Sequence, residues 1–186
     1  FRRPPEQVRT LALDEGSRSS VVLAQILLAQ RHDVRPLLTT LPLGQGADSS
    51  DADAVLMIGD RAMGPPPQEF TAWWDLGAEW RQWTGLPMVF AMWMARPGVD
   101  GSLLGDAFDA ARDKGLDSVP TIAAEAAAEM KLPDEFVLRY LQQHLHYVFG
   151  PNERRGLQEF FDRAARVGLI ATDNPPRFDD YADVCR

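Results

Sequence analysis

Cysteine is almost absent from the 186 residues: the single one, Cys185, stands next to the end, so no disulfide closes within the chain. That points to a reducing compartment, and a thiol at that position reads as incidental rather than nucleophilic. Histidine is scarce as well, at three residues, with no HExxH and no Cys/His cluster. His144 and His146 stand two apart and would point in different directions on a helix, so no metal is expected. Positive charge is in deficit. A formal net charge of -8 argues against DNA or RNA, which are bound through basic patches, and against an anionic membrane surface. No apolar run approaches the ~20 residues that span a bilayer, and the start, Phe1-Arg2-Arg3-Pro4-Pro5, is not a signal peptide. Neither GxGxxG after a strand nor GxxxxGK[ST] occurs, so the nucleotide fingerprints are missing too.

What remains is an ordinary globular composition, 45% hydrophobic and 25% charged, in a chain long enough for a real core. Residues 8–13 (VRTLAL) read as a strand, and 21–29 as a helix apolar almost all round, closed by cationic groups at 30–33. Residues 34–40 and 54–58 are further strand candidates; Pro36 places the former at an edge or a strand start. A short helix is expected over 78–83. The continuous apolar run at 88–95 (MVFAMWMA) reads as a strand covered on both faces, the best candidate for a central one. Beyond it the pattern is helical. Leu104, Phe108 and Ala111 share a face ending at Gly115. Ser118 can cap a helix with Pro120 in its first turn, and Pro133 opens another. Leu157, Phe160, Phe161 and Ala164 line a last helix, stopped at Gly168, and residues 171–186 read as a tail. Early strand–helix alternation gives an α/β fold with a parallel sheet.

The chemistry concentrates between the first strand and the first helix. Gly16-Ser17-Arg18-Ser19-Ser20 combines the unpartnered amides of a helix N-terminus with three hydroxyls and a guanidinium, a receptor for carboxylate or phosphate. The bland alternative is one capping serine, with Arg18 paired to Asp14 or Asp60. Gly59 and Asp60 follow the short strand at 54–58, where open α/β sheets bind ligands; Asp60 could meet a ligand hydroxyl or cap a turn. Trp80, Trp83, Thr84, Gly85 and Pro87 precede the apolar run, and the aromatics among them could wall a ring-shaped ligand, although such tryptophans are more often core.

Taken together, ALDEGSRSS, AVLMIGDRAM and DLGAEWRQWTGLPMVFAMW resemble the chorismate dehydratases of the futalosine route to menaquinone, over residues 1 to about 170. The resemblance implies a type II periplasmic-binding-protein-like fold, with two α/β lobes around a cleft. It implies a cytoplasmic enzyme without metal or organic cofactor that removes water from chorismate to give 3-[(1-carboxyvinyl)oxy]benzoate. On that pattern residues 1–95 are the second lobe with its hinge strands, and 96–170 are helices covering the first. Gly16, Ser17, Arg18, Ser19, Ser20, Gly59, Asp60, Thr84 and Gly85 would bind substrate. Family members carry an Asn-containing motif and a serine ahead of the position of Phe1, and these are the residues associated with catalysis. No catalytic residue is therefore expected within these 186, and the first lobe is expected to be incomplete. The rivals are the sister enzyme that makes 1,4-dihydroxy-6-naphthoate and a solute-binding protein for a small carboxylate.

Overall fold

A computed structural model describes residues 1–64, 67–96, 99 and 101–171. The expected tail, apart from Ala171, lies outside the described residues, and so does Cys185. The chain divides into two compact units, residues 1–92 with the helix Pro151–Arg166, and residues 93–150.

The first unit is α/β. Strand β1 (Thr10–Asp14) lies at the centre of a three-stranded sheet, between β2 (Leu37–Leu41) and β3 (Ala54–Val55), parallel to both. Successive side chains of β1 alternate between faces. Leu11 and Leu13 pack toward α1 (Ser19–His32), alongside Val8, Ala24, Leu28 and Ala54, whereas Ala12 packs with Leu41 and Ala52. Helix α1 is buried on two sides, which accounts for its nearly uniform apolarity. Ala24 and Leu28 meet the sheet; Leu23, Ile26 and Leu27 meet Trp80 of α2 (Leu76–Thr84) and Leu157, Phe160 and Ala164 of the helix at 151–166. Asp75 caps α2 by accepting from the Ala78 N–H at 2.9 Å.

Among the described residues of 93–150 are the helices α3 (Gly101–Asp117), α4 (Val119–Met130) and α5 (Asp134–Arg139); α5 runs into a π turn at Tyr140–His144. Ala123, Ala127 and Val137 form their small core. Trp93 stacks on Phe108 with ring centroids 4.3 Å apart. Gly115 does not end α3, which runs on to Asp117. Ser118 holds the N-cap position of α4 without capping it; its hydroxyl donates to the Lys114 carbonyl at 2.9 Å. Among the described residues no helix is long and apolar enough to cross a membrane.

The helix at 151–166, α6, belongs to the first unit through more than its apolar stripe. Arg163 donates to Glu159 at 2.6 Å and to Gln30 Oε1 at 2.8 Å, and its guanidinium lies 3.7 Å from the Trp83 ring centroid. Gly156 lets α6 approach the backbone before residue 88: a Cβ there would stand 2.1 Å from the Pro87 carbonyl oxygen.

One expectation is overturned. Residues 88–95 are not a strand. The segment pairs with no strand among the described residues, and it is exposed at Phe90, Met92, Trp93 (75%) and Met94 (87%). A continuous apolar run is compatible with a buried strand, but it becomes one only where a sheet edge offers its backbone partners.

Two predictions follow from the packing. Gly156→Ala is expected to destabilise the protein by roughly 1–3 kcal/mol or more, read as a lowered denaturation midpoint; an unchanged midpoint would show that α6 shifts at no cost. The second concerns Asp53, which ties the start of β3 to that of β1. Its carboxylate accepts from the Arg9 N–H at 2.8 Å and the Thr10 N–H at 3.2 Å, and pairs with Arg3 at 2.7 Å. The Arg9 amide does most to hold its pKa below the usual carboxylate value, with help from Thr10 and Arg3, while partial burial opposes them. The folded value lies below the unfolded one. The stability Asp53 contributes is therefore present above about pH 4 and is lost as pH falls through the folded value. Urea titrations below pH 5 should show a shallower acid loss in Asp53→Asn than in the wild type; parallel curves would refute the assignment.

Candidate functional site

The site builds outward from Asp14, the last residue of β1. Its side chain is 0% exposed, and its charge is matched by Arg61, 28% exposed. Asp14 Oδ1 accepts from the Gly16 N–H at 3.0 Å; Oδ2 accepts from the Ile58 N–H at 3.2 Å and from the Arg61 guanidinium. The Asp14 carbonyl accepts from the Ser17 N–H at 3.1 Å. Arg61 reaches a third segment by donating to the Gln45 carbonyl at 2.7 Å, and Glu15 accepts from the Leu43 N–H at 3.4 Å. Three loops at the C-terminal edge of the parallel sheet, at 14–18, 42–46 and 58–62, are thereby fastened to one carboxylate. That edge is where open α/β sheets place their ligands.

Helix α1 begins at this edge. Its N-cap position is held by Arg18, and no side chain caps it. The amides of its first turn have no intrahelical acceptors and carry partial positive charge. Ser17 and Ser20 lie beside them, 9% and 8% exposed, and neither hydroxyl has a hydrogen-bond partner among the described residues. Among the described residues the buried side-chain polar atom left without a partner is His32 Nε2, so both hydroxyls are reached by solvent, beside helix amides of a kind that suits an acceptor from outside the chain.

The other predicted residues fall as follows. Gly16 is exposed, and its backbone is crowded: a Cβ would stand 3.1 Å from Leu43 and 3.3 Å from Asp14 Oδ1. Arg18 is exposed and pairs with neither Asp14 nor Asp60; Asp14 takes Arg61 instead. Ser19 is engaged, its hydroxyl donating to the Phe90 carbonyl at 2.7 Å. It is a tether for the extended segment, and its proton is not free for a ligand. Gly59 (φ +64) and Asp60 open a short 3-10 turn, and both are exposed. The identity of Gly59 follows from its left-handed backbone. Thr84 and Gly85 close α2. The Thr84 hydroxyl donates to the Trp80 carbonyl at 2.8 Å and accepts from the Leu86 N–H at 3.1 Å, while Gly85 takes φ +73 at the C-cap. Trp80 is wholly buried, with its indole N–H donating to the Pro87 carbonyl at 3.3 Å, so it is core and not a ligand wall.

Sequence reasoning missed the part played by Arg61. It stands beside Asp60 in the same motif, but its partner lies 47 residues away, and only the sheet brings the two together. It missed the Phe90 carbonyl for the same reason.

Ser19→Ala is expected to release residues 88–92. Amide hydrogen exchange over that segment should quicken severalfold, and global stability should fall by about 0.5–1.5 kcal/mol, the net worth of one hydrogen bond. Unaltered exchange there would show that the tether holds nothing. In comparison with known proteins, a family model described as menaquinone biosynthesis matches residues 2–166.

Proposed function

The chain belongs to this menaquinone-biosynthesis family, and on that premise we propose that it serves as a chorismate dehydratase, removing water from chorismate to give 3-[(1-carboxyvinyl)oxy]benzoate. The family match supports a part in menaquinone biosynthesis. The observation that supports the reading further is the pair of Ser17 and Ser20, whose hydroxyls have no protein partner among the described residues, beside the free amides of α1. Such a turn suits a carboxylate, and chorismate carries two.

In the reaction a ring C–H bond and the C–O bond of the ring hydroxyl break. The proton and the hydroxide leave as water, and the ring becomes aromatic. Aromatisation supplies a strong driving force, so positioning and anion binding do much of the work. Ser17, Ser20 and the first amides of α1 donate to the carboxylate. Arg18, exposed at the N-cap position, adds the nearby charge. Gly16 keeps the turn narrow and its backbone accessible. Gly59 and Asp60 border the same sheet edge, and Thr84 and Gly85 shape the turn that leads to the tethered segment. The reading includes a type II periplasmic-binding-protein-like fold, with the α/β unit as one lobe, and a cytoplasmic location.

Incubation of the natural protein with chorismate should yield the aromatic product, followed by its ultraviolet absorbance and by proton NMR. Ser17→Ala and Arg18→Ala should each raise KM at least tenfold with a smaller change in kcat, because a group that grips substrate and transition state alike acts mainly on KM. Tight binding of chorismate without turnover would replace the dehydratase with a carboxylate-binding protein. Turnover with unchanged KM in both variants would move the carboxylate site away from this turn.

A further inference from the structure

We infer that Asp14 and Arg61 are positioning residues: their ion pair holds the Ser17–Ser20 turn in the shape that receives a ligand, and they act on that ligand through the turn. The inference rests on the reading of this turn as the substrate carboxylate site.

Asp14 ends the central strand with its side chain wholly buried. Its side-chain partners are the amides of Gly16 and Ile58 and the guanidinium of Arg61. All three lie in loops at the sheet edge that carries the N-terminus of α1. Two of them share Oδ2 and the third takes Oδ1, so both oxygens must accept. An asparagine has one accepting oxygen and would turn an N–H toward a donor on one side or the other. Arg61 is equally constrained, because one end of its fork meets Asp14 and the other meets the Gln45 carbonyl. A lysine ammonium keeps the charge without the fork.

A buried ion pair need not add net stability, since removing both charges is often neutral, whereas removing one leaves the other stranded. That asymmetry supplies the test. Steady-state kinetics on chorismate would be measured for the natural protein and for Asp14→Asn, Arg61→Lys and the double variant D14N/R61M, together with thermal midpoints. The single variants should raise KM, D14N by at least tenfold, with kcat within about threefold. The double variant should regain most of the wild-type midpoint and yet keep the raised KM. A folded double variant with KM within twofold of wild type would overturn the inference, as would a fall in kcat at constant KM.

A second readout needs no substrate. Amide hydrogen exchange over residues 15–20 and 58–62 should be at least tenfold faster in D14N, while residues 23–28 of α1 keep their protection; uniform or unchanged exchange would overturn the inference. Should the wild-type protein leave chorismate unconverted, the dehydratase reading falls, and the exchange measurement still decides whether the pair positions the turn.

Discussion

Everything at the working edge of the sheet depends on one buried carboxylate. An ionised group without solvent is tolerated only when its charge is balanced and its lone pairs are filled. Asp14 meets that demand with a guanidinium and two amides drawn from separate loops. The requirement runs in both directions. The loops must come together to satisfy the carboxylate, and once together they have little freedom to part. A strand end that would otherwise be a loose junction becomes a fixed frame, and the first turn of α1 inherits its orientation from that frame.

The frame divides the polar residues of the turn between two tasks. Ser19 is committed to the Phe90 carbonyl and so belongs to the scaffold. Ser17 and Ser20 have no such commitment among the described residues, and they lie at the margin of the core rather than deep within it. Three serines close together in sequence thus differ in kind. Gly59 and Gly85 likewise answer to backbone conformation, each in the left-handed region, before they answer to any ligand.

Much of the first unit was readable in advance, because its signals are local. The apolarity of residues 21–29 reflects a helix pressed between a sheet and two other helices, and the spacing of Leu157, Phe160 and Ala164 marks the stripe that α6 buries. Strands at residues 8–13, 34–40 and 54–58 were legible, with bounds displaced by a few residues, whereas the strand that holds the centre was not. The junction between β1 and α1 was legible because a short apolar strand gives way to polar, glycine-containing sequence before an apolar helix. Pairings across long separations were not legible. Nothing near Asp14 announces Arg61, and nothing near Ser19 announces Phe90. The run at 88–95 misled for a related reason: apolarity says that a segment prefers cover, and only the assembled sheet says whether a backbone partner exists.

The path of the chain through the first unit has a consequence for its synthesis. Gln30 and Arg163 stand 133 residues apart and still meet side chain to side chain, with residues 93–150 forming a separate compact body in between. Contacts of such long range are made late, because the loop between them must close first. On a ribosome, α1 leaves the exit tunnel long before α6 exists to cover Leu23, Ile26 and Leu27. The intervening helices, contiguous in sequence, have all their parts in hand sooner. The usual order, in which the N-terminal portion is finished first, is therefore reversed here. The nascent sheet unit waits with an uncovered helix face until the last long helix arrives, and that interval is when the chain is most open to association with its neighbours.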